Sequence, residues 1–182
     1  MKNFQSVDIK SSRLRYSNLT ESEIFDLFSL LQDKEITIPL GYYPSNSINE
    51  FKSKMHRYIN SDNCVGIRLD NNLIGYFHIN DYITSDQEFV DLKKIGIAFV
   101  IGKQFQNKGY ATEAVRTLTQ YLLNEYDVCF ADCFSDNTQS KRVIEKSGFT
   151  FLEKYTMYFD EIKANKECLS YYLKKWLKQI DL

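Results

Sequence analysis

The run Ile95-Gly96-Ile97-Ala98-Phe99-Val100-Ile101 constrains the fold more than any other part of this chain. It is too short for a typical helix and apolar on both alternating faces. It therefore predicts a central strand, covered on both sides of a sheet. Ile95, Ile97, Phe99 and Ile101 form a bulky face, whereas Gly96, Ala98 and Val100 form one whose small side chains leave room for something to lie close. Just beyond comes Gln106-Asn107-Lys108-Gly109-Tyr110-Ala111-Thr112-Glu113-Ala114, which opens a helix with Ala111, Ala114, Val115, Leu118, Tyr121 and Leu122 as its apolar stripe. The first N–H groups of a helix have no intrahelical partner, and the helix dipole adds partial positive charge there. Gly109 lets the backbone turn tightly and brings no side chain to block an anion. Strand, glycine and helix start together predict an anion site made of main-chain atoms. No Gly-Lys-Ser/Thr follows, so this is not a Walker loop. Nor is it the dinucleotide fingerprint, which needs three spaced glycines and an acidic residue about 20 positions later. A pyrophosphate gripped by N–H groups fits the small number of glycines better.

The rest of the chain supplies the elements around this core. Residues 13–16 read as a short strand. Thr20 and Glu23 form a capping box that opens a helix with Ile24, Leu27, Phe28 and Leu31 as its stripe, and Leu19 is spaced to staple onto Ile24. Ser47 and Glu50 open a second helix carrying Ile48, Phe51, Met55, Tyr58 and Ile59. Between them, residues 35–44 read as a loop. Its Ile36, Ile38, Leu40, Tyr42 and Tyr43 are many apolar and aromatic groups for a connection, which marks a candidate substrate wall. Cys64–Leu69 and 73–79 read as a hairpin joined by Asp70-Asn71-Asn72. Val128–Phe134 predicts a strand, Thr138–Lys146 a helix ended by Gly148, and 155–159 with 168–173 a closing antiparallel hairpin. The expected class is mixed α/β, in one domain over residues 1–182, a length that buries a core without disulfides or metal.

Composition removes several function classes. Twenty-three Lys and Arg against 24 Asp and Glu leave a net charge of −1, without the basic excess that phosphate neutralisation requires, so no nucleic-acid partner is expected. No stretch approaches the roughly 20 apolar residues of a membrane span. Met1-Lys2-Asn3-Phe4-Gln5 lacks an apolar signal core, so no membrane association and a cytoplasmic location are expected. Cys64, Cys129, Cys133 and Cys168 lie in apolar runs and read as reduced core thiols. Cys129 and Cys133 share a strand face, but neither His56 nor His78 stands at a ligand-like spacing, so no metal is expected. No Gly-x-Ser-x-Gly elbow supports a serine hydrolase.

Gln106-x-x-Gly109-x-Ala111 resembles the Gln/Arg-x-x-Gly-x-Gly/Ala motif of the GNAT N-acetyltransferase superfamily. The segment from Asn137-Thr138-Gln139-Ser140 to Glu145-Lys146-Ser147-Gly148-Phe149 resembles the Asn-x-x-Ser…Glu-Lys-x-Gly-Phe stretch of its branch that contains ribosomal-protein N-terminal acetyltransferases. Arg13-Leu14-Arg15 followed by Leu19-Thr20, and the closing stretch from Tyr171 to Trp176, also look like that branch. The resemblance implies a GNAT-like acyl-CoA N-acyltransferase fold, a mixed sheet whose fourth strand (95–101) and fifth strand (Val128–Phe134) splay into a V. It implies acetyl-CoA as co-substrate, with pantetheine paired to backbone near Phe99 and Ile101. The pyrophosphate would rest on the N–H groups of Gln106, Asn107, Lys108, Gly109, Tyr110, Ala111 and Thr112. Asn137 would bond the pantetheine arm, although Asn also suits a helix N-cap, and Ser140 would sit near the thioester sulfur as the catalytic residue. The acceptor would be an amine, a protein N-terminus or a small molecule, and a homodimer stays open.

Acyl transfer to an amine needs a deprotonated amine, donors for the developing oxyanion and a proton for the thiolate. Many relatives carry a glutamate base at the position of Gly96, and many superfamily members a tyrosine acid at that of Ile144. Both are missing. Asp132, Glu88, Asp91 or water remain as proton acceptors, and a non-catalytic acyl-CoA-binding module remains the alternative reading.

Overall fold

In the computed structural model the described residues are 7–60 and 63–175. Met1-Lys2-Asn3-Phe4-Gln5 and Trp176 lie outside them, as does the side chain of Tyr58. The apolar run 95–101 forms a strand of Lys94–Ile101 inside a sheet of eight strands. In chain order the elements are β1 (Asp8–Lys10), β2 (Arg15–Asn18), α1 (Ile24–Leu30), α2 (Lys34–Thr37), α3 (Ile48–Asn60), β3 (Cys64–Leu69), β4 (Asn72–Asn80), β5 (Lys94–Ile101), α4 (Tyr110–Leu122), β6 (Val128–Phe134), α5 (Thr138–Lys146), β7 (Thr150–Phe159) and β8 (Ala164–Lys174). The strands lie side by side as β1-β2-β3-β4-β5-β6-β8-β7.

Local chemistry builds most of these. Thr20 N donates to Glu23 Oε2 at 3.0 Å, and a 3₁₀ turn over Glu21–Glu23 leads into α1. Glu50 N donates to Ser47 Oγ at 3.2 Å at the start of α3. Asp70 and Asn71 take φ of 49° and 68°, the left-handed pair that a tight hairpin requires, and join β3 to β4. At the end of α5, Gly148 N donates to Glu145 O and Phe149 N to Ile144 O, a Schellman ending.

The alternation of β5 serves two cores. Ile95, Ile97 and Ile101 pack with Ala114, Val115, Leu118 and Leu122 of α4 and Ile144 of α5 on one face of the sheet. Val100 packs with Tyr76, Ile24 and Leu27 of α1, and Phe51 and Met55 of α3 on the other. Each of the Ile, Leu, Val, Phe and Met side chains among these stabilises the fold by about 1.5–3 kcal/mol when fully buried. The cover is incomplete, contrary to the expectation of a strand buried on both sides: Ala98, in the middle of the small-residue face, is exposed.

The pair β5 and β6 is parallel, and every other strand pairing among the described residues is antiparallel. Its register holds only for Lys94 with Val128, Ile95 with Cys129 and Gly96 with Phe130. Beyond that point β5 stays with β4 as far as Ile101, while β6 stays with β8 as far as Phe134. The two strands therefore part, which is the expected V. They are fifth and sixth in chain order because Asp8–Lys10 adds a strand that the sequence reading missed. Three boundaries also differ. The strand expected at 13–16 begins at Arg15, since Ser11 to Leu14 form the turn from β1. The closing hairpin extends over Thr150–Phe159 and Ala164–Lys174. Residues 35–44 are not an open loop: Asp33 Oδ1 accepts from Glu35 N at 2.9 Å and caps α2, and a 3₁₀ turn spans Ile38–Leu40.

All four cysteines are buried and free. Among the described residues no helix is long and apolar enough to cross a membrane.

Candidate active site

The V opens onto a cleft of about 340 Å³. Phe99, Ile101, Gln106, Asn107, Gly109, Tyr110, Ala111, Thr112 and Asn137 line it, together with Ser140. Gly109 takes φ of +82° immediately before α4, and Asn107 takes +61°. These turns bring the chain round so that α4 begins at the cleft with its first-turn amides unsatisfied within the helix. The φ of Gly109 is one that only glycine adopts at low cost.

Lys108 is the exception among the expected residues. Its Nζ donates to Gln104 O at 2.9 Å, and its side chain does not line the cleft. Gln106 does more than expected: its Nε2 donates to Ile101 O at 3.0 Å, so a carbonyl at the end of β5 is already engaged.

A clamp absent from the sequence reading holds the anion loop. Glu113, in the first turn of α4, accepts from Ser11 Oγ at 2.7 Å, Ser12 Oγ at 3.1 Å and Arg13 N at 2.9 Å through one oxygen. Its other oxygen accepts from Arg13 Nε at 2.7 Å. Burial pushes the Glu113 carboxyl up, but the hydrogen bonds from Ser11, Arg13 and Ser12 outweigh it and hold the group below its ordinary value. Only the unassigned charge of Arg13-Leu14-Arg15 hinted at this in the sequence.

On the other wall, Asn137 Oδ1 accepts from Ser140 N at 3.0 Å. The capping alternative is thus realised. Because the cap occupies the carbonyl oxygen, the amide NH₂ is the group Asn137 can offer a ligand. Ser140 is half-buried in the first turn of α5 and faces the same cleft.

A second and larger cavity, about 770 Å³, lies on the small-residue face of β5. Leu40 and Val100 line both spaces. Leu40 and Tyr42 from the expected substrate wall border this cavity, whereas Tyr43 is exposed. Ala98 and His78 lie at its floor, paired across β5 and β4.

The sites of the two missing family side chains have physical occupants. A Cβ on Gly96 would come within 2.9 Å of Asn80 Nδ2 and 3.2 Å of Tyr82 Cδ2, so these residues fill the space of a glutamate. Ile144 is fully buried in the apolar core, where no acid could reach a thiolate. Of the carboxylates proposed as bases, Asp91 is exposed, and Glu88 is exposed and paired with Lys174 at 2.5 Å. Asp132 accepts from Tyr155 Oη at 3.1 Å and, more weakly, from Tyr82 Oη at 3.4 Å. Asp132 is also exposed, but the groups packed around its carboxyl partly desolvate it and raise its pKa despite bonds from Ser170, Tyr155 and Tyr82. His78, whose spacing in the sequence suits no metal site, borders the larger cavity. Burial lowers its pKa, so its imidazole is neutral at pH 7.

Comparison with known proteins agrees with this geometry. No curated protein sequence matches the chain. Among solved structures, the acetyltransferase (GNAT family) from Bacillus anthracis superimposes with a TM-score of 0.80 at 18% identity, covering 93% of this chain and 99% of that one. The spermidine N-acetyltransferase from Vibrio cholerae, in complex with CoA and spermine, gives 0.75 at 15% identity over 91% and 97%. The ribosomal L7/L12 alpha-N-protein acetyltransferase, in complex with coenzyme A, gives 0.73 at 17% over 90% and 95%. At these identities the likeness speaks for the fold. The family model described as an acetyltransferase (GNAT) domain matches residues 13–150, which is most of the chain. With that match over the V, the glycine turn and α5, the chain belongs to the GNAT acetyltransferase family, whose co-substrate is acetyl-CoA.

Proposed function

We propose that this protein is an N-acetyltransferase that moves an acetyl group from acetyl-CoA directly to an amine while both are bound. The carrying observation is the pair of cavities that meet at Leu40 and Val100 beside the edge of β5 that β6 has left. One has a mixed lining and is fronted by helix-start amides; the other is lined mainly by apolar groups. That suits a diphosphate-bearing thioester on one side and an acceptor on the other.

In this reading the pyrophosphate rests on the amides from Asn107 to Thr112, and pantetheine runs past Phe99 and Asn137. The backbone of β5 in the gap polarises the thioester carbonyl, and Ser140 hydrogen-bonds the departing sulfur. Holding amine and thioester in line supplies much of the rate, since effective molarities of such arrangements reach about 10⁵–10⁸ M. The acceptor carries an ammonium that titrates near 10.4 when free, so a group in the protein must take its proton. Relatives of this fold act on spermidine and on a ribosomal protein, which supports an amine as acceptor.

Gly96 and Ile144 favour a second reading, an acyl-CoA-binding module without turnover. Calorimetry with acetyl-CoA, followed by thiol release over an amine panel, separates the two. Binding with release supports the enzyme, binding without release on any amine supports the module, and no binding overturns both.

A further inference from the structure

We infer that the larger cavity seats a primary amine carried on an apolar body, with the nitrogen against His78, and that His78 receives the ammonium proton. This rests on the acetyl-transfer reading above and names its acceptor class and base.

The floor of the cavity is the first argument. In the β4–β5 ladder His78 lies directly opposite Ala98, and both border the cavity. Ala98 stands two residues past Gly96, the last residue of β5 still paired to β6, so it sits on the splayed section where the thioester would lie. Its methyl group is exposed and leaves the imidazole access to that point. A base must come within hydrogen-bond reach of the proton it takes, and His78 is the imidazole positioned to do so.

The walls are the second argument. Phe51, Met55, Tyr76, Val100, Leu40 and Tyr42 surround the space with rings and aliphatic groups. Its charged lining residues are Glu50, Lys54 and Glu161, whose side chains are 37%, 45% and 57% exposed. Lys54 Nζ reaches Glu50 at 3.2 Å and Glu161 at 3.7 Å, so both carboxylates share one cation at the rim and the balance there is one negative charge. A polyamine drawn into this space would bury secondary ammonium groups against apolar walls, because both carboxylates stand at the rim and are already engaged by Lys54, and that burial is costly. An amine on an aliphatic or aromatic body meets no such penalty and gains from burial.

Competing proton acceptors are poorly suited. Burial pushes the Cys64 thiol in the same cavity up to about 12, so it stays protonated. Asp132 belongs to β6, across the gap, and does not border the cavity; Tyr155 and Tyr82 already occupy its oxygens. The neutral His78 imidazole can bind one proton from R–NH₃⁺. The freed lone pair then forms the C–N bond to the thioester carbon. As the tetrahedral intermediate collapses, the C–S bond breaks, and the second proton leaves nitrogen as the thiolate is protonated. His78 returns its proton to solvent.

Thiol release by the full chain, with acetyl-CoA and phenethylamine, hexylamine, spermidine or a serine-starting peptide, tests this. Phenethylamine or hexylamine should exceed spermidine and the peptide by about tenfold or more in kcat/KM. His78→Ala should lower kcat by about 100-fold, with acetyl-CoA affinity unchanged and part of the rate restored by added imidazole. His78→Gln, which keeps bulk and hydrogen bonding, should show the same loss with an intact fold. Preference for spermidine or the peptide overturns the acceptor class. Turnover of both variants within threefold of wild type, or a loss that imidazole leaves untouched, overturns the base. Failure to bind acetyl-CoA at all would strike the underlying transfer reading instead.

Discussion

Arg13 bridges the two ends of the anion loop: its Nε donates to Glu113 Oε2 at 2.7 Å and its Nη1 to the Lys108 carbonyl at 3.1 Å. The guanidinium also lies over the Tyr110 ring, 4.5 Å from its centroid. A side chain 100 positions away thus fixes the glycine turn and the first turn of α4 in one geometry. The amides that would hold a pyrophosphate are therefore aimed before ligand arrives, and less ordering cost is left for binding.

Arg13→Ala tests this preorganisation. It removes charged hydrogen bonds at a partly exposed site and should cost about 1–3 kcal/mol of stability. Acetyl-CoA affinity should fall about tenfold although Arg13 is not expected to touch the cofactor. Calorimetry alongside thermal melting reads both, and unchanged affinity would leave the clamp with a purely structural role.

Gly109→Val should be more severe for binding. A β-branched residue is strongly disfavoured at φ of +82°, and the new Cβ would meet Arg13 Nη2 at 3.4 Å. The backbone must shift, and the amides move with it. We expect acetyl-CoA binding to be lost in calorimetry while circular dichroism stays native; retained affinity would count against the anion site.

Ser140→Ala separates catalysis from packing. The cap uses the backbone N–H of residue 140, so it survives the substitution. Turnover should fall about tenfold or more with acetyl-CoA affinity nearly unchanged, as expected of a group that acts on the leaving sulfur. Equal turnover in a thiol-release assay would return Ser140 to the helix surface.

Asp132→Asn should raise stability at pH 7. Partial desolvation raises the folded-state pKa of Asp132 above its ordinary 3.8, so the folded protein binds this proton more tightly than the unfolded chain. Its contribution is full below 3.8 and is lost as pH rises through the raised value, leaving an ionised carboxyl that opposes folding only weakly at neutral pH, because Asp132 keeps contact with solvent. The melting temperature of Asp132→Asn should exceed wild type at pH 7, with the gap closing as pH falls toward 3.8. Turnover should stay within threefold of wild type, whereas a collapse would move the base from His78 to this carboxylate.

How much of this was legible in the sequence follows from the range of the interactions. Thr20 with Glu23, Asp70-Asn71 and Gly148 act within a turn of chain, and each formed the cap or turn expected of it. The run 95–101 and the glycine turn before α4 are equally local, and both formed as read, whereas the V was expected only from the resemblance to the family. The helix at Lys34–Thr37 is the local miss: its Asp33 cap was available to read, but the density of apolar groups after it suggested a wall instead.

Tertiary structure decided the rest, because it concerns residues that the chain separates widely. The hold of Arg13 on Glu113 follows from where the β1–β2 turn docks on α4. His78 meets Ala98 only through the antiparallel register of β4 and β5, and a slip of one residue would send the imidazole to the opposite face. The Asp132 site needs Tyr82, Tyr155 and Ser170 from three other segments. Sequence by itself determined the strand, the glycine turn and the family, since those are written in short-range pattern. The acceptor side of the active site depended on strand register and packing, which no short stretch of residues encodes.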